Sequence, residues 1–274
     1  MVPGPRQAIE GEAVVTALLD VKGAGIAFGG LKAVADFNLE IPKGILHGLI
    51  GPNGAGKTTV FNLLTGVYRP DAGSIRLDGR DLIGLKPHEI ASAGMSRTFQ
   101  NIRLFADLTV LDNVRIACHL RGTHALVPTI LRSAGHRAQE AAMLERSRRL
   151  LTLFELDDRR FEEARSLPYG DQRRLEIARA LATDPKVVLL DEPAAGMNPK
   201  ETHALALLIR RLRDEFGVTI LLIEHDMGLV MDICDKITVL DYGVTIASGE
   251  PAEIQKNPRV IAAYLGEPVP SAGA

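Results

Sequence analysis

Residues 51 to 58 read Gly51-Pro52-Asn53-Gly54-Ala55-Gly56-Lys57-Thr58, a spacing suited to holding a chain of phosphates. Glycines let the backbone fold into a nest whose N–H groups converge on phosphate oxygens, a concavity that side chains would obstruct. A helix opening at Lys57 adds the positive end of its dipole to the same point. Lys57 is then placed to reach the β- and γ-phosphates and the Thr58 hydroxyl to help hold Mg²⁺, with Thr59 joining the nucleotide-binding set. A second constellation closes an apolar run: Val187-Val188-Leu189-Leu190 is followed directly by Asp191 and Glu192. Asp191 suits a Mg²⁺ ligand, direct or through water, and Glu192 can polarise a water that attacks the γ-phosphate. Either pattern alone has an ordinary counterpart, a glycine turn before a helix or a buried strand meeting solvent at two acids. Together they point to hydrolysis of a nucleoside triphosphate. The guanine-reading Asn-Lys-x-Asp pattern is absent from the sequence, which favours adenine.

Those residues need a scaffold, and the surrounding pattern predicts one. Ala35, Phe37, Leu39 and Ile41 alternate with Asp36, Asn38 and Glu40, a half-buried strand. Pro42-Lys43-Gly44 turns the chain, and Ile45–Ile50 reads as a more buried strand delivering the phosphate loop. The helix after it spans about Lys57 to Thr65, with Gly66 placed to stop it. After the turn Pro70-Asp71-Ala72-Gly73, Ile75 and Leu77 alternate again. From about Thr109 to Arg165 the spacing becomes helical, and strands return at Val187–Leu190, Val218–Ile223 and Ile237–Leu240. Asn198 as N-cap, Pro199 and Glu201 start a helix well. The class is α/β: a nucleotide-binding core, an antiparallel sheet in the first third, and a helical subdomain over about residues 101–170. Residues 1–17, with Pro3, Gly4, Pro5 and Gly11, read as a loose lead-in, and residues 268–274 as a tail.

Composition narrows the setting. A formal charge of −2 gives no general pull towards nucleic acid or an anionic membrane. The arginines at 146, 148, 149, 159, 160, 210, 211 and 213 are interleaved with acids such as Glu145, Asp157 and Glu215, so they read as solvated helix faces and no nucleic-acid partner is expected. Cys118 and Cys234 match no metal or redox spacing. No stretch approaches the roughly 18 to 20 apolar residues that span a bilayer, and the N-terminus lacks a secretory signal. Any service to a membrane is expected to run through partners.

Leu167-Pro168-Tyr169-Gly170-Asp171-Gln172-Arg173-Arg174-Leu175, continuing as Glu176-Ile177-Ala178-Arg179-Ala180-Leu181, resembles the signature motif of ABC ATPases. Gln100 within Thr98-Phe99-Gln100-Asn101 resembles that family's Q-loop glutamine, His225 within Ile223-Glu224-His225-Asp226 its switch histidine, and Pro193–Asn198 its D-loop. The resemblance covers about Leu18 to Glu267 and implies the ABC ATPase form of the P-loop NTPase fold, with a RecA-like core. It implies ATP and Mg²⁺ as cofactors, bound between two head-to-tail chains. Phe28 would stack on adenine, Gln100 would contact the metal and report nucleotide state, and Glu192 and His225 would act at the γ-phosphate. Gly170, at the start of the signature helix, would face the ATP held by the partner chain. Three positions depart from the common Leu-Ser-Gly-Gly-Gln: Pro168 supplies no hydroxyl, Tyr169 replaces a glycine, and Asp171 replaces glutamine. A carboxylate facing the site would repel ATP, so Asp171 is expected to point away while Gly170 N–H groups make the contact. Asn198 stands where the family's aspartate is usual.

The variant signature, Asp191–Thr202, Arg97–Phe105 and the tail Asn257–Gly266 resemble the ATPases of branched-chain (hydrophobic) amino-acid importers. That family implies a second ATPase subunit, identical or homologous, two transmembrane permease subunits and, indirectly, an extracytoplasmic solute-binding protein. The chain would then sit peripherally on the cytoplasmic face of the plasma (inner) membrane. Leu104 and Phe105, beside the Q-loop, would form part of the groove receiving the permeases. Urea or amide importers and the lipopolysaccharide-export ATPase share this texture. A soluble ABC ATPase fits less well, lacking the second cassette, coiled-coil insertion or basic face expected there.

Overall fold

The computed structural model describes residues 17–119 and 134–265. The expected lead-in up to residue 16 and the tail lie outside the described residues. Two sheets organise the chain. The first is antiparallel, in the order β2 (Leu31–Ile41), β1 (Leu19–Phe28), β4 (Ala72–Leu77), β5 (Arg80–Asp81). The second runs β10 (Val244–Gly249), β9 (Lys236–Asp241), β3 (Leu46–Ile50), β8 (Thr219–Ile223), β7 (Val187–Asp191), β6 (Met95–Arg97). It is parallel from β9 to β6, with β10 antiparallel at one edge.

Every residue of β3, β7 and β8 is buried, because both faces of this sheet are covered, so these strands read as continuous apolar runs. Alternate side chains enter different cores. Ile50, Val188, Leu190, Ile220 and Leu222 pack with the helices of one face. Leu49, Val187, Leu189, Leu221 and Ile223 pack with the first sheet and with α1 (Lys57–Leu64) on the other.

Leu49 lies opposite Ile223, Asp191 opposite Ile223, and Arg97 opposite Leu189. The carboxyl ends of β3, β6, β7 and β8 therefore finish along one edge, where an open α/β sheet binds ligands.

The helical stretch resolves into α3 (Val110–Cys118) and α4 (Ala134–Leu153), packed with α5 (Tyr169–Ala182); α2 (Pro87–Ala93) precedes β6. Asn198 caps α6 (Pro199–Phe216): its Oδ1 accepts from the N–H groups of Lys200 and Glu201, both at 3.0 Å, while Glu201 accepts from Asn198 N–H at 2.9 Å. Then follow α7 (Met227–Ile233), α8 (Pro251–Lys256) and α9 (Pro258–Leu265). The arginines meet acids as their interleaving suggested, among them Arg146 with Asp184 and Arg211 with Glu215.

Strand β2 starts four residues before the alternating pattern does. Asp36 adopts φ +49°, and the register with β1 shifts between Phe37 and Val34, so both are buried although three positions apart. Strand β1 carries Gly23, Ala24 and Gly25 and its own register shifts, which hide its period of two.

Candidate functional site

The phosphate loop joins β3 to α1, and its shape leaves no room at two positions. A Cβ on Gly51, at φ +151°, would lie 2.0 Å from the Leu240 carbonyl oxygen. One on Gly56, the left-handed residue that caps α1, would lie 2.7 Å from the carbonyl of Ala33. Lys57 folds back over the loop, its Nζ donating to the carbonyls of Gly51 at 2.6 Å and Pro52 at 3.0 Å. Burial holds this ammonium below the ordinary lysine value, while Glu192 and Asp191 pull it back up. An arriving phosphate would meet a partly desolvated cation already aimed.

A cavity of about 450 Å³ lies over the loop, lined by Asn53, Gly54, Ala55, Gly56, Lys57, Thr58 and Thr59 together with Gln100 and Glu192. Gln100 donates its amide to Glu192 Oε2 at 2.8 Å, and the His225 Nδ1 lies 3.9 Å from Glu192 Oε1. Gln100 and His225, far apart in sequence, thus approach the same Glu192 carboxylate; Gln100 lines the cavity and His225 does not. Glu192 sits at φ +47°, a backbone conformation that costs an L-residue about 1–3 kcal/mol. It is held there by its N–H, which donates to the Ile223 carbonyl at 2.9 Å.

Asp191 lies beneath the lining, 3% exposed, and its Oδ2 meets Arg97 Nη2 at 2.7 Å. Arg97 also donates to Asn62 Oδ1 at 2.7 Å, and its guanidinium packs against the Phe61 and Phe99 rings. Thr98 Oγ1 accepts from Asp191 N–H at 3.2 Å. Thr58 and Gln100, each carrying an oxygen donor, line the cavity, and this hard donor type suits Mg²⁺, with phosphate and water completing its shell. Among the described residues no cluster of three His, Cys, Asp or Glu is placed to hold a metal by itself.

A model of the ABC transporter family matches residues 34–195, more than half of the chain. The chain belongs to that family. A second model, described as the branched-chain amino acid ATP-binding cassette transporter, matches residues 244–270. The chain is 48% identical over 250 residues to the high-affinity branched-chain amino acid transport ATP-binding protein BraF of Pseudomonas aeruginosa, covering 91% of this chain and 98% of that one. LivG of Escherichia coli K12, with the same description, is 49% identical over 250 residues with the same coverage. The lipopolysaccharide export system ATP-binding protein LptB of that strain is 35% identical over 251 residues, covering 92% and 98%. Among solved structures, the ADP conformation of MJ1267, an ATP-binding cassette of an ABC transporter, superposes with a TM-score of 0.79 at 29% identity, covering 92% of this chain and 99% of that one.

Within this ABC cassette, the signature segment opens α5 with Pro168 as N-cap and no side-chain cap. Asp171 faces Arg159 at 3.4 Å in its own chain. Gly170 is half-buried, next to Glu201 at the start of α6. Neither residue lines the cavity, and Phe28 also stands apart from it. The Phe28 ring is 46% exposed and meets Tyr68 edge-on at 5.2 Å.

The sequence reading missed Leu31, Lys32, Ala33 and Tyr242, which also line the cavity. Tyr242 occupies the β9–β10 turn at φ +43°, and the Asp241-Tyr242-Gly243 turn was the signal available for it. Arg97 gave no signal, since a strand-end arginine does not announce a buried partner.

A larger cavity of about 720 Å³ opens between α2, β6, α3 and α5, lined in part by Val67, Ile90, Phe99, Arg103, Leu104 and Phe105. Phe105 is 47% exposed there, with the Arg179 guanidinium 5.5 Å from its ring centre.

Proposed function

We propose that this chain binds and hydrolyses ATP to power an importer of branched-chain or other hydrophobic amino acids. The observation that carries the ATPase reading is the convergence of Lys57, Gln100 and Glu192 on the phosphate-loop cavity, with His225 3.9 Å from the Glu192 carboxylate. The phosphate loop binds the β- and γ-phosphates through its N–H groups and Lys57. Glu192 accepts a proton from the attacking water, Gln100 fixes the carboxylate's orientation, and His225 contacts the γ-phosphate for in-line displacement. Mg²⁺, when bound, supplies charge neutralisation at the phosphates; Thr58 and Gln100 would hold it, with Asp191 acting through water. Phe28 supplies the adenine contact.

Each site is completed by the Gly170 end of α5 from a second ATPase chain, identical or homologous. Asp171, engaged with Arg159, stays out of that contact. Loss of the γ-phosphate reopens the pair, and the helical unit of about residues 101–170 moves with it. Two permease subunits dock at the cavity beside Phe105 and carry that movement across the membrane, where a solute-binding protein delivers the amino acid. The chain is thereby peripheral on the cytoplasmic face of the membrane; no helix among its described residues is long and apolar enough to cross one. The match of residues 244–270 to the branched-chain model supports this solute class over lipopolysaccharide export.

The experiment is steady-state hydrolysis and nucleotide binding of wild type and Glu192→Gln. The variant keeps ATP affinity, loses nearly all turnover and accumulates as a closed dimer; wild-type turnover would remove Glu192 from its role. Capture from native membranes tests the transport half. Two permease chains and an amino-acid-binding protein co-purify with wild type, and Phe105→Asp weakens that assembly while leaving ATP binding unchanged. Capture without permeases, or unchanged assembly of the variant, refutes the docking.

A further inference from the structure

Glu224 follows β8 directly and is 1% exposed. Among the described residues no lysine or arginine is seen paired with it. Its carboxylate is satisfied by backbone instead: Oε1 accepts the Ala194 N–H at 2.9 Å and Oε2 the His225 N–H at 3.2 Å. The Asp226 N–H adds to the same cradle. The His225 ring is also within range, its Nδ1 3.9 Å from Oε2. The same Nδ1 is 3.9 Å from Glu192 Oε1.

A buried carboxylate without a strong cation is expensive, and burial does push this carboxyl above its usual range. An apolar residue would end the strand at less cost. What the carboxylate provides is a rigid two-ended tie. One oxygen holds the segment that follows Glu192, at Ala194, and the other holds the backbone that carries His225. Their separation is therefore set by one side chain, in a region where the water and the γ-phosphate must be aligned to a fraction of an ångström.

We infer that Glu224 is a positioning residue for hydrolysis, fixing the His225 ring relative to Glu192 by binding the Ala194 and His225 N–H groups at once. This rests on the ATPase reading above and acts through His225. Glutamine is nearly isosteric but accepts on one oxygen alone, so its NH₂ group would confront either the Ala194 or the His225 N–H, donor against donor.

The test is a double-mutant cycle of ATP turnover with wild type, Glu224→Gln, His225→Ala and the pair, with melting temperatures alongside. Glu224→Gln lowers kcat tenfold or more, with KM for ATP within about threefold, because the phosphate loop is untouched. In the His225→Ala background the same change alters kcat less than twofold. A Glu224→Gln enzyme within threefold of wild-type kcat overturns the inference, and so do losses that multiply in the pair. Should Glu224→Gln fail to fold, Glu224→Asp repeats the cycle, keeping the charge but falling one methylene short of the two-ended reach, with the same two outcomes deciding. Wild-type kcat in His225→Ala alone defeats the reading of His225 itself and the inference with it, an arm separate from the Glu224 arms.

Discussion

Arg173 is the largest fully buried side chain among the described residues, and its removal should be felt in stability and in the site together. It lies 1% exposed on α5, with Nη1 3.1 Å from Glu176 Oε2, itself 2% exposed. The same guanidinium donates to the carbonyl of Phe99 at 2.7 Å and to that of Gln100. Glu176 Oε1 accepts from the N–H groups of Phe99 and Arg103, each at 3.3 Å. One buried ion pair on the signature helix thus grips both sides of the Gln100 loop. Arg173→Ala leaves the Glu176 charge and two carbonyls without their partner, and breaking a buried pair in this way costs about 3–5 kcal/mol. Set against a total of about 5–15 kcal/mol for a domain, that should lower the urea midpoint by roughly 1 to 2 M.

The loss should also depend on pH with a definite sign. Burial raises the Glu176 carboxyl above its usual range, and Arg173 pulls it down, so deleting Arg173 raises it further. Between the unfolded value of about 4.3 and this raised folded value, the native state holds more protons than the unfolded chain. Stability of Arg173→Ala therefore falls as pH rises through that window, and the variant is penalised less at about pH 5 than at pH 8. Urea titrations at the two pH values measure this, and Arg173→Ala/Glu176→Gln should recover part of the loss at pH 8. A cost below about 1 kcal/mol would refute the argument, as would an identical cost at both pH values with no recovery in the pair.

Three shorter predictions follow from other contacts. Asp171 faces Arg159, so Asp171→Gln should change ATP turnover by less than tenfold; a tenfold acceleration would mean the carboxylate opposes ATP across the dimer. Asn198→Ala removes the cap of α6 and should cost about 1 kcal/mol in urea unfolding, whereas Asn198→Asp, which keeps an acceptor, should stay close to wild type. Phe28→Ala should weaken ATP binding by about 1–3 kcal/mol if the ring stacks on the base, and Tyr242→Ala by less, since that ring is 86% exposed. Calorimetric titration of both variants decides it, and the reverse order would place the base against the β9–β10 turn.

What could be read from sequence divides along a physical line. The phosphate loop and Asp191-Glu192 were legible because each stands where a buried strand ends, and a run such as Val187–Leu190 or Thr219–Ile223 fixes the end of a strand to within a residue. Gln100 and His225 were identified through the family motifs, and strand β6, which leads to Gln100, was not foreseen. Side chains at the carboxyl ends of neighbouring parallel strands must then meet, whatever lies between them. The antiparallel sheet was half legible. Phe37 to Ile41 alternate cleanly, but the Asp36 bulge and the Gly23–Gly25 segment of β1 break the period on which that reading depends.

The supporting carboxylates and guanidiniums escaped for a different reason. Arg97, Arg173, Glu176 and Glu224 belong to residue types that are exposed by default. Their burial follows from partners far along the chain: Phe99 for Arg173 and Glu176, 74 and 77 positions away, Asp191 for Arg97, 94 away, and Ala194 for Glu224, 30 away. No local pattern encodes such a distance. The residues proposed to touch the phosphates are thus announced by the backbone they need. Those that hold the touching residues still are announced by nothing short of the fold, and the Glu224 and Arg173 variants examine that second group.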